Sequence, residues 1–156
     1  MGLDMYLSAK GYASAVQAER DQEQKQKYEQ LLDILQCRNY ISDNLGFVNY
    51  EVEVAYWRKA NAIHGWFVAN CQYGVDDCRT AYDSRDQLEG LVTLCKAVRN
   101  NPSLADELLP PQPGFFFGSY EIDDWYLRSL DDTIEMLEQA LSNVPSNMQF
   151  VYSSSW

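Results

Sequence analysis

The sequence lacks a long apolar run, and none of its stretches approaches the ~20 residues that a membrane-spanning helix needs. Its start lacks a basic segment followed by an apolar one, so we expect no signal peptide and a cytoplasmic location. It also lacks a Cys-x-x-Cys pair, and the single histidine, His64, completes no common zinc module. The four cysteines are therefore predicted to be reduced thiols, mostly buried, with no metal and no disulfide bond.

Basic residues are scarce as well. The chain has 12 lysines and arginines against 23 aspartates and glutamates, which gives a net charge of -11. Binding to nucleic acid or to an anionic membrane requires basic patches, so this balance argues against either as the main partner. It permits a protein partner with a basic surface, because opposite charges speed association. The alternative is that the acidic surface serves only solubility.

The acidic residues are concentrated towards the carboxyl terminus. Arg128 is the only basic residue after Arg99, whereas nine acidic residues follow Arg99. The pattern from about Ile122 to Ser142 predicts a helix with leucines on one face and carboxylates on the other. We therefore predict that a partner contacts this helix through six residues: Asp124, Trp125, Asp131, Asp132, Glu135 and Glu138.

The apolar content excludes a disordered chain, since 46% of the residues are hydrophobic and 13% are aromatic. Alternation from Leu3 to about Tyr12 predicts a strand near the start, and the segment from Gln149 to Ser153 predicts another near the end. Helical patterns occupy much of the sequence between them. We predict an α+β fold in which residues 1–156 form a single domain. In it, three to four helices pack on a small sheet that includes the N- and C-terminal strands.

Two further helices are predicted before the acidic one. A polar pattern predicts a helix at about 14–39 that projects from the domain. Ser84 and Gln87 have the spacing of a capping box, which predicts a helix from Arg85 to Asn100. Between these two helices, the pair Asp76-Asp77 is predicted to be a solvated turn and not a cation site.

The segment from Glu53 to Cys71 combines aromatic, small and charged residues, and its alanines favour a helix. At about 100° per residue, one stripe of that helix would hold a row of polar and aromatic residues: Glu53, Trp57, Asn61 and His64. Such a row suits an interior of satisfied polar groups, and the alternative is a ligand pocket. For the pocket we predict five ligand-binding residues: Trp57, Arg58, Asn61, His64 and Phe116. The sequence identifies no catalytic residue, since a catalytic histidine needs a nucleophile or an acid beside it.

Four blocks of the sequence are distinctive. They are MGLDMYL at the start, EVAYWRKANAIHGWFV in the middle, LLPPQPGFFFGSYEIDDWY further on and YSSSW at the end. Together they resemble a family of small proteins encoded by phages, prophages and their bacterial hosts, over most of the chain apart from the long polar helix. The resemblance carries no catalytic assignment to any residue here. It implies an accessory protein of a phage or mobile element that acts by binding a host factor, such as a nucleic-acid-targeting defence complex.

The leading expectation is a non-enzymatic, phage-type binding protein without a cofactor. It would be an acidic inhibitor of a host-defence protein, of the anti-CRISPR or nucleic-acid-mimic type, and would act through the acidic helix and Trp125. The alternative is a protein that binds a nucleotide or a phosphorylated metabolite in the pocket on the central helix. A hydrolase built on His64 is a third hypothesis, and it requires a partner group for that histidine.

Overall fold

A computed structural model of the protein describes residues 2–42, 46–112 and 121–156. The chain divides into two compact units, one of Met1–Ala9 with Glu53–Trp156 and the other of Lys10–Val52. None of the helices in the described ranges combines the length and the apolar character that crossing a membrane requires. In chain order the elements are β1 (Asp4–Ser14), α1 (Ala15–Arg20), α2 (Gln22–Ile34), β2 (Phe47–Arg58), α3 (Asn61–Cys71), β3 (Ala81–Asp83), α4 (Arg85–Asn100), a 3-10 turn (Pro102–Leu104), α5 (Ala105–Leu108), α6 (Asp124–Asn143) and β4 (Gln149–Ser155).

The four strands form one antiparallel sheet in the order β2-β1-β4-β3. The strands nearest the two ends of the chain, β1 and β4, are therefore neighbours in its centre. At one edge, Ala81 of β3 pairs with Tyr152 of β4, and Asp83 pairs with Phe150. The predicted α+β fold, with helices and a small sheet that includes both terminal strands, is confirmed.

The larger unit has one apolar core, to which α3, α4 and α6 each contribute a buried face. α4 begins where the sequence predicts, because the side chains of Ser84 and Gln87 each bond the backbone of the other residue. α6 begins after Asp123, whose carboxylate accepts a hydrogen bond from the Tyr126 amide at 2.8 Å. The buried residues of α6 repeat every three or four positions: Tyr126, Leu130, Thr133, Leu137 and Ala140. One face of α6 is thus fixed in the core, and the opposite face is exposed.

The smaller unit has an apolar cluster of its own: Ala13, Ala15, Tyr28, Leu32, Cys37 and Val48. The sequence predicted a single helix at about 14–39, whereas the structure has two, α1 and α2. The helices are separated at Asp21, whose backbone is extended and whose side chain accepts a hydrogen bond from the Glu23 amide. An aspartate in this conformation caps a new helix, so the prediction of one continuous helix was wrong.

The prediction of a helix from Glu53 was also wrong, because the chain remains in β2 as far as Arg58. Burial alternates in this segment, since Ala55 and Trp57 are buried whereas Tyr56 between them is exposed. β-Branched and aromatic residues favour a strand, and the pairing of β2 with β1 outweighs the helix preference of alanine.

The helix starts only after a turn at Lys59, which has a φ of 59°, in the left-handed region. α3 then begins at Asn61, and no side chain caps its amino terminus. The residues before the turn belong to a strand and those after it to a helix. The structure therefore does not form the predicted helical row of Glu53, Trp57, Asn61 and His64.

Candidate functional site

Trp57 lies inside the core of the larger unit, where it is 3% exposed and its ring centre is 5.9 Å from that of Phe67. Its indole N–H donates to the hydroxyl group of Thr133 at 2.9 Å. The Thr133 hydroxyl in turn donates to the Ser129 carbonyl at 2.6 Å, so the whole chain of groups is satisfied. Trp57 therefore ties β2 to α6.

The other predicted ligand-binding residues have different partners. Arg58 is exposed, and its guanidinium lies 3.8 Å from the carboxylate of Asp4. Asn61 is the first residue of α3, and its amide donates to the Gln112 carbonyl at 3.0 Å. Phe116 lies outside the described residues. Arg58 and Asn61 contact different parts of the chain, so the structure does not gather these two side chains around Trp57.

His64 is buried, and both of its ring nitrogens face polar groups. Nδ1 lies 2.7 Å from the hydroxyl oxygen of Tyr152 on β4. Nε2 lies 3.1 Å from the carboxylate of Asp76, at an angle that does not meet hydrogen-bond geometry. The Trp156 indole donates to the same carboxylate at 3.1 Å. His64 thus links α3 to β4 and to the loop that follows α3, as a polar tie inside a fold does.

Tyr152, His64 and Asp76 stand in the order hydroxyl, imidazole and carboxylate that activates a nucleophile in many hydrolases. The Tyr152 side chain has no exposed surface, however, and its ring stacks on Phe67 with 3.9 Å between the ring centres. Burial raises the pKa of Tyr152 above its usual value, because it disfavours the charged phenolate. The row is therefore placed to stabilise the fold and not to meet a substrate.

Asp83 is a second buried titratable residue, next to Cys71 and Tyr152. Burial raises the pKa of Asp83 to about 6, although the Cys71 thiol and the Tyr152 backbone lower it. Within the described residues, neither carboxylate oxygen reaches a partner with hydrogen-bond geometry. Burial, and then the neighbouring Asp83, also raise the pKa of Cys71, which keeps this thiol protonated. The pair is therefore sensitive to pH but is not set up as a nucleophile.

All four cysteines are free thiols, and two of them are buried, where the sequence predicted that most would be. Cys37 and Cys95 are buried, whereas Cys71 and Cys78 are partly exposed. Throughout residues 2–42, 46–112 and 121–156, no three histidine, cysteine, aspartate or glutamate side chains are placed to hold one metal ion. The recurrence of His64, Cys71 and Cys78 at seven-residue intervals therefore does not bring these three together as a ligand set.

Two of the six residues predicted to bind a partner form ion pairs within the chain. The Asp131 carboxylate lies 2.7 Å from the guanidinium of Arg99, and the Glu138 carboxylate lies 2.5 Å from the ammonium of Lys96. Both cations belong to α4, so these carboxylates lie on the side of α6 that faces α4. Their charge is partly neutralised before any partner arrives.

The remaining four residues form a surface that we call the α6 docking face: Asp124, Trp125, Asp132 and Glu135. All four are exposed, and 57% of the Trp125 surface is accessible. In the described part of the chain, the three carboxylates form no ion pair. Trp125 and Asp132 are two helical turns apart and lie on one stripe. Arg128, the only basic residue of α6, is exposed between them.

A cavity of about 440 Å³ lies beside Trp125. Its walls come from the turn before α3, from the end of the segment that precedes residue 113 and from the start of α6, and include Lys59, Asn61, Pro111, Glu121, Asp123 and Trp125. Its size is within the roughly 300–1,000 Å³ range of small-molecule sites. The cavity thus brings one residue predicted for a ligand, Asn61, together with one predicted for a partner, Trp125.

Several residues of these arrangements were missed from the sequence. Lys59 lies in the distinctive block EVAYWRKANAIHGWFV, but its position in a turn depends on where β2 ends. Tyr152 lies in a predicted strand, but Phe150, Val151 and Tyr152 are all buried there, so alternation does not single out its inward side chain. Nothing near Asp76 in the sequence indicates its contact with His64, and Thr133 is likewise marked only by its position on the buried face of α6.

Comparison of the chain with protein-family models, with curated proteins and with solved structures gives no match. The functional assignment therefore rests on the residues of the chain itself, on its charge and on the surfaces that the fold presents.

Proposed function

We propose that this chain is a non-enzymatic binding protein that docks a basic surface of a partner protein on the α6 docking face. The observation that carries the proposal is an exposed tryptophan, Trp125, at the start of α6, with the exposed carboxylates of Asp132 and Glu135 about two and three helical turns further along. Tryptophan is enriched at protein interfaces, where its large ring supplies much of the binding energy. The opposite face of α6 is buried in the core, so the helix needs little ordering when a partner binds.

Electrostatics favour a basic partner. The net charge of -11 creates a field that attracts positively charged surfaces over several ångströms. The carboxylates of the docking face are exposed, so salt screens their attraction, and binding should weaken as the ionic strength rises. Arg128 is the only cation on α6, and it locally weakens the attraction of this helix for a basic surface.

A nucleic-acid-binding protein is the kind of partner that fits this face best. Carboxylates spaced along an exposed helix occupy the place of backbone phosphates in a groove lined by lysine and arginine. The resemblance to proteins of phages and prophages also supports a nucleic-acid-binding protein of the host as the partner. We therefore assign the chain to accessory proteins that inhibit a host-defence, nucleic-acid-targeting protein, in the manner of an anti-CRISPR protein or a nucleic-acid mimic.

An enzymatic role has less support from the described residues. The row from Tyr152 to Asp76 ends in a buried hydroxyl group, and its residues are separate from those that line the Trp125 cavity. A hydrolase needs its nucleophile, its base and a substrate cavity at one place. The described geometry brings together only the first two.

The test compares two double variants as bait in a bacterial extract. Asp132→Lys with Glu135→Lys reverses the docking face, and Glu53→Lys with Glu89→Lys makes the same change of charge at two exposed residues on other elements. Unchanged circular dichroism establishes that both fold. We expect one basic, nucleic-acid-binding protein to be retained by the wild type and by the control, and to be lost from the α6 variant.

The purified partner then allows a direct assay. The wild-type chain should displace a labelled nucleic acid from it, and the α6 variant should not. Retention of the same partner by all three baits, or simultaneous binding of nucleic acid and chain, would remove the proposal.

A further inference from the structure

We infer that the cavity beside Trp125 receives one basic side chain of the partner, and that arginine fits it best. The inference rests on the proposed function, because it identifies the anchor of the same docking face. Trp125 lines the cavity, and Asp132 lies two turns further along the same stripe of α6. An arginine held in the cavity therefore places neighbouring basic residues of the partner beside Asp132 and Glu135.

The lining matches the chemistry of an arginine side chain. Ala60, Ala62 and Pro111 provide apolar surface for the methylene stem, whereas Glu121 and Asp123 provide carboxylates for the head group. A guanidinium binds a carboxylate through two parallel hydrogen bonds, and it gains a further attraction over the face of a tryptophan ring. Lysine has the charge but not the planar fork, so it should bind less well.

Two of the lining residues, Asp123 and Tyr126, are held in place before anything binds. Asp123 accepts a hydrogen bond from the Tyr126 amide at 2.8 Å, which fixes its carboxylate at the start of α6. The hydroxyl group of Tyr126, another lining residue, donates to the Leu109 carbonyl at 2.7 Å. A site whose groups are already ordered loses less entropy on binding, so these bonds favour an anchor at this position.

Lys59 allows a cationic occupant of the cavity to be distinguished from an anionic one. Among the described lining residues it is the one cation, against the carboxylates of Glu121 and Asp123. The excess of carboxylates favours a cationic occupant. An anionic ligand such as a phosphate would instead use Lys59 and the amides at the start of α3. Removal of the Lys59 charge should therefore strengthen the binding of a cation and weaken the binding of an anion.

The experiment uses the full chain and three peptides, of six arginines, six lysines or six citrullines, at low salt. The indole NMR signal of Trp125 reports on the cavity, and its loss in Trp125→Leu assigns it. We expect the arginine peptide to shift this signal, the lysine peptide to bind at least threefold more weakly and the citrulline peptide to leave it unchanged. Lys59→Gln should tighten arginine binding at least twofold, whereas Glu121→Gln should weaken it at least threefold.

Two results would overturn the anchor. One is tighter arginine binding in wild type than in Lys59→Gln, especially if inorganic phosphate or a nucleotide shifts the Trp125 signal. The other is an arginine affinity, measured by isothermal titration because Trp125→Leu removes the NMR signal, that Trp125→Leu and Glu121→Gln leave unchanged. If the arginine peptide still fails to bind the variant with Asp132→Lys and Glu135→Lys, the α6 docking face is retained and only the arginine site in the cavity is rejected. If binding survives there as well, both the anchor and the proposed function fail.

Discussion

The Nδ1 atom of His64 lies 2.7 Å from the hydroxyl oxygen of Tyr152, although the two residues are 88 positions apart in the sequence. The contact joins α3 to the last strand of the sheet. Because both side chains are buried, removal of the Tyr152 hydroxyl group leaves His64 Nδ1 without this hydrogen bond inside the fold.

Tyr152→Phe should therefore lower the free energy of unfolding by about 1–3 kcal/mol, since it removes only the hydroxyl group and leaves His64 Nδ1 unpaired. Urea denaturation followed by circular dichroism measures this change. Tyr82→Phe on β3 is the matched control, because Tyr82 is 68% exposed and should tolerate the same change. Equal stability of the two variants would show that the histidine contact contributes nothing.

Thr133→Val tests the tie between β2 and α6. The substitution keeps the shape of the side chain but removes the hydroxyl group that accepts the Trp57 indole N–H, which stays buried. We expect a loss of about 1–3 kcal/mol of stability in thermal or urea denaturation. Thr93→Val makes the same change at an exposed helical residue of α4 and should cost less than about 0.5 kcal/mol.

Asp83 should make stability depend on pH. Its pKa is raised from an ordinary 3.8 to about 6 in the folded chain, so the folded state holds this proton more tightly than the unfolded state does. The resulting stabilisation is complete below pH 3.8, declines as the pH rises to about 6 and is lost above that value. The shift corresponds to about 3 kcal/mol.

Denaturation of Asp83→Asn at several pH values between 4 and 8 measures this contribution. The difference in unfolding free energy between wild type and variant should change across the interval from 3.8 to about 6 and stay constant above it. Glu89→Gln, at an exposed carboxylate of α4, should show no such step. A constant difference for Asp83→Asn over the whole range would contradict a carboxyl group whose pKa is raised by burial.

The two groups of carboxylates on α6 should behave differently when neutralised. Asp131→Asn with Glu138→Gln removes ion pairs that are half exposed, and such pairs contribute about 0–1 kcal/mol each to stability. Partner affinity should change little in this variant. Asp132→Asn with Glu135→Gln alters the net charge equally but should weaken binding at least tenfold, which isothermal titration with the purified partner measures. The reverse ranking would assign the docking surface to the side of α6 that faces α4.

Local signals predicted a large part of the fold. Ser84 and Gln87 are three residues apart, and the leucines of α6 repeat at helical spacing, so each pattern is complete within one element. Alternation likewise identified the first strand, and the apolar and aromatic segment from Gln149 to Ser153 identified the last. These predictions succeeded because the residues that determine the structure are neighbours in the chain.

Errors arose where a distant partner or a single cap decides the structure. Ala55 favours a helix by itself, but the pairing of β2 with β1 places it in a strand. Asp21 interrupts a polar helical pattern because its side chain caps α2. The contact of His64 with Asp76 and Tyr152 also depends on the turn at Lys59, which places His64 in α3 and Trp57 in β2. Residue spacing alone therefore could not predict where these two side chains lie.

The most direct measurement is the dissociation constant for the purified partner at low and at moderate salt, with wild type and the two double Lys variants. The α6 docking face predicts tight, salt-sensitive binding by the wild type and by Glu53→Lys with Glu89→Lys. It also predicts at least hundredfold weaker binding once Asp132 and Glu135 are both lysine. Equal affinities for the two variants, or an affinity that salt leaves unchanged, would contradict a docking face that combines Trp125 with exposed carboxylates along α6.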